Sequence, residues 1–333
     1  MDGREMMNSE LKKRFHGKKA VQSKYVPRFP DSVMRDYVRL ANALSVAAIK
    51  EPLRQLLPEL MQIIKDGEKN EFRDHNTSTT KADGKQSRDN EKERAKSRRE
   101  TLAATATALD SWFEKLREAI RNSMKLFRVR DKLNAIASAN RKLTVKEWRK
   151  AVNKTLGINI LEDYYDGEFY GDILEKWISD SVDLISTIPG EFLDDMKKIV
   201  LDGYLNGKTV STIAKEIQRT YGTTKSHALL IAKDQTGKLN AKITRHQQQS
   251  CGVNKYKWRT AGDGRVRDDH KELNGKIFDW DHPPVVDQKR GRRAHPGEDY
   301  NCRCVAIPVF DFDELDLPVD GTTDKELRKG AWK

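Results

Sequence analysis

WRTAGDGRVRDDHKELNGKIFDW, residues 258–280, and PGEDYNCRCVAIPV, residues 296–309, set a dense group of Arg, Asp, His and Cys between short strand-like runs. Tyr256, Trp258 and Thr260 alternate with Lys255, Lys257 and Arg259, the period of two that marks a half-buried strand. Gly262, Asp263 and Gly264 then supply turn chemistry, with Arg265, Arg267, Asp268, Asp269 and His270 directly behind. Asn274-Gly275 predicts a tight hairpin turn before the strand-like pair Ile277-Phe278. In CRCVAIPV the alternation places Cys302, Cys304 and Ala306 on one face and Arg303, Val305 and Ile307 on the other.

Upstream of this block the apolar spacing is helical. Asp31 predicts the cap of a helix with Met34, Tyr37, Val38, Ala41 and Leu44 on one face, which Pro52 and Pro58 break or restart. Leu102, Leu109, Trp112, Phe113, Leu116, Ile120, Met124 and Phe127 recur at three- and four-residue steps, a core stripe. Thr144 and Glu147 form a capping-box pattern that predicts a new helix there, ending by Gly157. Further helices are expected over 173–185 and from Pro189, the latter with Phe192, Met196, Ile199 and Val200 inward. Thr209 predicts the cap of another, and Thr223 or Thr224 that of a longer one through Ile243; together these two have the outline of a helix-turn-helix. The fold class is therefore α+β. A mostly helical N-terminal and middle region precedes a small mixed C-terminal module with short antiparallel strands.

The 333 residues allow more than one domain, and the expected divisions are five. Residues 1–65 carry a basic arm and N-terminal helices, and 66–100 a charged flexible linker whose second half turns helical near Arg88. Residues 101–250 make the helical body, 251–315 the C-terminal module and 316–333 a flexible acidic tail. The arm holds Lys12, Lys13, Arg14, Lys18 and Lys19; a second basic stretch, Lys289, Arg290, Arg292 and Arg293, lies in the Pro-rich loop. With a formal charge of +12 these patches suit a polyanion, bound through phosphates without sequence reading. No apolar run approaches the roughly 20 residues of a membrane span, and neither a secretory leader nor a membrane partner is expected. Three cysteines, two of them separated by one residue, do not form a disulfide framework.

The polar cluster admits three readings. In one, Asp263, Arg265, Arg267, Asp268 and His270 form a hydrogen-bonding network that fixes the loops, the planar Arg fork holding carboxylates or carbonyls. In another, Cys302 and Cys304 bind zinc with His270 and either His295 or His282, two thiolates and one or two imidazoles completing a tetrahedron. The third is a metal-dependent nuclease or toxin-like enzyme using Asp263, Asp268 and His270. No nucleophile elbow, phosphate loop or His-Glu-x-x-His pattern accompanies it. Besides these, a DNA-binding regulator would use helices 209–246.

Residues 173–309 resemble the phage Mu F-like head-morphogenesis proteins. The resemblance is carried by W-x-T at Trp258 and Thr260, D-x-R-V-R-x-x-H from Asp263 through Arg265 and Arg267 to His270, L-N-G-K-x-F around Asn274 and Gly275, and C-R-C at Cys302, Arg303 and Cys304. IAKDQT resembles a further motif of that family, with Lys233 where Arg is usual. The resemblance implies a minor capsid protein rather than an enzyme, without a required cofactor. It implies a few copies bound to the portal protein inside the procapsid, with scaffold or major capsid protein as further partners. Double-stranded DNA would be contacted non-specifically during packaging or ejection, and the chain would pass from host cytoplasm to the interior of the virion head. In this family the module also occurs fused to toxin domains, and after the short acidic tail here none is expected.

Overall fold

The computed structural model describes residues 3–76, 84–160, 168–206 and 208–319. Seven long or medium helices occupy most of them: α1 (Gly3–Arg14), α2 (Asp31–Ser45), α3 (Glu51–Asn76), α4 (Gly84–Phe127), α5 (Val129–Leu156), α6 (Glu168–Leu205) and α7 (Val210–Ser250). A π-helical turn, Val46–Lys50, joins α2 to α3. The remaining elements are β1 (Ala20–Gln22), β2 (Lys255–Arg259), the six-residue α8 (Asp268–Leu273), β3 (Ile277–Asp279), β4 (Val285–Asp287), β5 (Arg292–Arg293) and β6 (Val305–Asp311). This is the α+β class expected, helical first and stranded last.

The chain forms two compact units. One comprises residues 40–129 and 183–229. Its core is the stripe read from the sequence, with Leu109, Trp112, Phe113, Leu116 and Ile120 of α4 buried. The Trp112 indole N–H donates to the Leu56 carbonyl of α3 at 2.9 Å, so the largest side chain of the stripe leaves no polar atom unpaired. Phe192, Met196 and Val200 are buried in the same unit, as are Ile213 and Ile217.

The other unit comprises residues 1–39, 130–182 and 230–333. It holds a four-stranded antiparallel sheet in the order β1-β6-β2-β3, with Trp258 opposite Ala306 and Val21 opposite Phe310. Strand β6 is paired on both sides and is buried along almost its whole length, as a central strand must be. Strand β2 shows the expected alternation, Tyr256 and Trp258 buried between exposed Lys255 and Arg259. Helix α5 lies against β6 through Trp148 and Phe310, whose ring centroids are 5.9 Å apart. The 230–250 part of α7 is tied in by Gln248, which accepts from the Trp280 indole at 3.0 Å.

Several expectations are corrected by tertiary partners. Thr144 sits inside α5, where its hydroxyl donates to the Asn140 carbonyl four residues back; Glu147 bonds the Tyr25 hydroxyl and the Arg28 N–H instead of closing a capping box. Pro189 lies inside α6. No turn divides 209–246: α7 runs unbroken through Gly222, and the Thr224 hydroxyl donates to the Thr220 carbonyl within the helix. The helix-turn-helix outline is therefore absent, and with it the basis for a regulator of that type. Of the expected linker, 66–76 belong to helix α3; the helix read from near Arg88 is present, α4 beginning at Gly84, while 77–83 lie outside the described residues. Asn274-Gly275 connects α8 to β3 rather than β2 to β3; Gly275 has φ +84° and its N–H donates to the Trp258 carbonyl at 2.8 Å.

Both chain ends within the described residues are also packed. Met7 and Leu11 of α1 are buried, Phe15 stacks on Phe312 at 5.4 Å, and Asn8 donates to the Leu315 carbonyl at 3.0 Å. Leu315 and Leu317 are buried in turn, so the acidic stretch from Asp311 to Val319 is part of this unit. The rest of the expected tail, 320–333, lies outside the described residues. Among the described residues no helix is long and apolar enough to cross a membrane.

Candidate functional site: a buried His-Cys-Cys group under a basic cleft

Helix α8, the loop 294–304 and strand β2 converge on one point. Short α8 turns His270 and Leu273 inward and leaves Asp268 and Lys271 in solvent, where they pair at 2.7 Å. His270 packs edge-on against Trp258 with ring centroids 5.6 Å apart. From the loop come Cys302 and Cys304, both buried, in one apolar cluster with Tyr256, Trp258, Trp280 and Ala306. His270 Nδ1 is 3.6 Å from Cys302 Sγ and 3.6 Å from Cys304 Sγ. The three ligand atoms lie within 4.8 Å of one another, and among the described residues they are the group able to hold a metal ion.

The other imidazole nitrogen is committed. His270 Nε2 lies 3.1 Å from Asp299 Oδ2, and Asp299, buried, also receives Arg267 Nη1 on that oxygen at 2.9 Å. Burial opposes the Asp299 charge, yet the His270 bond and the nearby Arg267 and Arg292 hold its carboxyl below the usual range. An ionised carboxylate only accepts, so Nε2 is the donor and Nδ1 faces the sulfurs. Arg292 Nε stands 2.9 Å from Asp299 Oδ1, an ion pair by distance whose angle is not that of a hydrogen bond. Tyr300 stacks beneath the Arg292 guanidinium at 5.1 Å, and the Tyr300 carbonyl accepts from Arg267 at 2.5 Å.

The electrostatics favour charge separation in the group. Burial works against an imidazolium, but the Asp299 bond and the Cys302 sulfur raise the His270 pKa to about 9. The Cys304 hydrogen bond, with His270 beside it, holds the Cys302 thiol well below the usual thiol range, and the same Cys302 contact with burial pushes Cys304 up.

A cleft of about 360 Å³ opens directly over His270, Cys302 and Cys304. Lys233, Arg265, Arg267 and Arg303 line it against the single carboxylate of Asp31, so its wall is cationic. Arg303 is itself anchored by Asp263 in a short charge-assisted bond, and Arg265 bonds the same carboxylate at 3.1 Å. Arg303 first, and then Arg265, hold Asp263 at a pKa of about 2 despite some desolvation. Thr260 completes this edge: its N–H and hydroxyl both reach Asn274 Oδ1, at 3.0 and 3.3 Å.

The residues read as one network divide between two carboxylates, and Asp268 stands apart, paired with Lys271. Asp263 gathers Arg265 and Arg303; Asp299 gathers Arg267, Arg292 and His270. Asp299 was not among the residues singled out by sequence, because in PGEDYN it reads as an ordinary turn acid; its one signal is its place three residues before Cys-X-Cys. His295 lies outside the metal-capable group, its Nδ1 bonding the Tyr256 hydroxyl at 2.8 Å, and burial lowers its pKa. His282 is exposed and pairs with Asp279 at 3.9 Å. The nuclease reading needs Asp263 and Asp268 beside His270, yet one is held by arginines and the other by Lys271.

The basic stretches are largely engaged internally. Lys12 and Lys19 pair with Asp313, Arg14 donates to the Leu156 carbonyl at 2.6 Å, and Lys13 and Lys18 are exposed. In the loop, Arg290 and Arg292 pair with Asp287, Arg293 donates to the Pro283 carbonyl at 3.0 Å, and Lys289 is exposed.

Residues 194–307, which contain Asp263, His270, Asp299, Cys302 and Cys304, match the family described as phage Mu protein F like protein. Curated relatives differ in kind. The chain is 34% identical over 155 residues to an uncharacterized protein of Haemophilus influenzae, covering 46% of this chain and 33% of that protein. It is 30% identical over 148 residues to the NAD(+)--arginine ADP-ribosyltransferase EFV of Enterococcus faecalis, covering 41% of this chain and 30% of that one. Against the minor head protein GP7 of Bacillus phage SPP1 it is 23% identical over 200 residues, covering 52% and 65% respectively. The chain therefore spans about a third of the first two relatives. No solved structure matches.

Proposed function

We propose that this chain is a minor head protein of a tailed phage or prophage, acting in head morphogenesis as an assembly component rather than a catalyst. The observation that carries the reading is the family match over residues 194–307, supported by the likeness to a minor head protein along 65% of that protein's length. Its partner in the procapsid is the portal protein, with scaffold or major capsid protein in contact during assembly, and it remains inside the head with the packaged DNA. The transferase name belongs to a protein of which this chain covers 30%, and the reading takes no activity from it.

Procapsids purified from cells expressing the head genes test it. The chain is expected to sediment with portal-containing particles, and deletion of its gene to lower the yield of DNA-filled heads. Procapsids that form normally, contain none of it and deliver DNA at the wild-type rate would refute the reading.

A further inference from the structure

We infer that His270 Nδ1, Cys302 Sγ and Cys304 Sγ hold one zinc ion whose fourth position opens into the cationic cleft. The inference goes beyond the head-protein reading and does not depend on it.

Distances carry the first part. Zinc bonds of about 2.3 Å to sulfur and about 2.0–2.1 Å to nitrogen, at a tetrahedral angle, put each sulfur about 3.6 Å from the nitrogen. Both S···N separations here are 3.6 Å. Hydrogen bonding alone would run from Nδ1 to Cys302 and from Cys304 to Cys302, and nothing in it requires Nδ1, with its one in-plane direction, to stand equally far from both sulfurs. An ion between the three does require it.

The surroundings are those of a ligand set. Asp299 fixes His270 through Nε2, which orients the ring and raises the basicity of the ligating nitrogen, the usual arrangement behind a metal-bound imidazole. The Cys304 backbone N–H points at Cys302 Sγ at 3.4 Å, a contact that stabilises a thiolate. Trp258 packs edge-on against the His270 ring and shares the buried cluster of the two cysteines. Two thiolates and a neutral imidazole balance the charge of Zn²⁺, and water from the cleft completes the tetrahedron. His295 lies outside the group whose ligand atoms are within 4.8 Å of one another and takes no part.

The test uses the full chain purified without chelator. Elemental analysis should find about one zinc per chain. Cys302→Ser, Cys304→Ser and His270→Ala should each lower that ratio at least about tenfold, while Cys251→Ser leaves it unchanged. Because ligand variants of a buried site risk misfolding, two measurements use protein with its ligands intact. Cobalt loaded in place of zinc should show the thiolate-to-metal charge-transfer absorption. Asp299→Asn, which keeps all three ligands, should weaken zinc binding about 10–100-fold in a chelator competition. Wild-type protein free of metal, refusing cobalt and melting identically with and without chelator, would overturn the inference, as would a metal content that survives all three ligand substitutions.

Discussion

Gly237 lies where α7 passes closest to the loop that bears the cysteines. A methyl group there would stand 3.0 Å from the Cys302 carbonyl and 3.3 Å from that of Gly297, both backbone atoms that cannot swing aside. Gly222, on the exposed side of the same helix, has open space around it. Helix propensity alone favours Ala over Gly by about 1 kcal/mol at either place. Gly222→Ala should therefore raise stability by about 1 kcal/mol, whereas Gly237→Ala should lower it by about 1–3 kcal/mol through overpacking. Urea denaturation of the two variants checks the pair, and equal stabilisation would show that the contact at Cys302 is slack. The same positions show what sequence reading could reach. Cys302, Cys304 and His270 were legible by residue type and by the Cys-X-Cys spacing, although the strand read there begins only at Val305. Asp299 and Gly237 were not, since the one becomes a carboxylate that orients His270 and the other a close-approach glycine only when segments 29 or more residues apart meet.

At the scale of elements, α5 carries a buried carboxylate that ties the N-terminal segment down. Glu147 accepts from the Tyr25 hydroxyl at 2.6 Å and from the Arg28 N–H at 3.0 Å, with Lys150 at 3.2 Å. Burial pushes its pKa up, but these donors outweigh it and the folded value lies below the ordinary one. A depressed carboxylate contributes stability that is complete above its unfolded pKa and is lost as pH falls through the folded value. Glu147→Gln should thus cost about 1–3 kcal/mol at neutral pH, and its deficit relative to wild type should shrink below the ordinary glutamate pKa of about 4.3. Chemical denaturation at the two pH values reads the difference, and a deficit independent of pH would mean the amide replaces the charge in full. Thr144 and Glu147 also explain why the helix boundaries were partly hidden. A Ser/Thr followed three residues later by Glu has the same spelling at a cap and inside a helix, and only Tyr25 and Arg28, more than a hundred residues away, decide which it is. Strand β1 was hidden for a similar reason. Three residues carry too little periodicity to mark a strand, and β1 exists because β6 offers an edge to pair with.

Across the whole molecule the charge of +12 is not spent evenly. In the N-terminal segment Lys12, Lys19 and Arg14 hold the fold through Asp313 and the Leu156 carbonyl, whereas Lys13 and Lys18 face solvent; in the 289–293 loop the three arginines are tied to Asp287, Asp299 and the Pro283 carbonyl, whereas Lys289 is exposed. Cations that bind DNA must release its counterions, and each phosphate neutralised adds about 0.9 to the slope of log affinity against log salt. If the chain contacts packaged DNA, the triple variant Lys13→Ala, Lys18→Ala, Lys289→Ala should lower that slope by up to about 2.7 without shifting the melting temperature. Arg14→Ala should do the reverse, lowering the melting temperature because it strips the Leu156 carbonyl of its donor, while leaving the slope of the folded protein within about one contact of wild type. Binding to a labelled duplex of random sequence at several salt concentrations, with a melting curve for each variant, separates the two effects. An unchanged slope in the triple variant would assign these lysines to solvation or to a protein partner and move the DNA contact elsewhere on the surface.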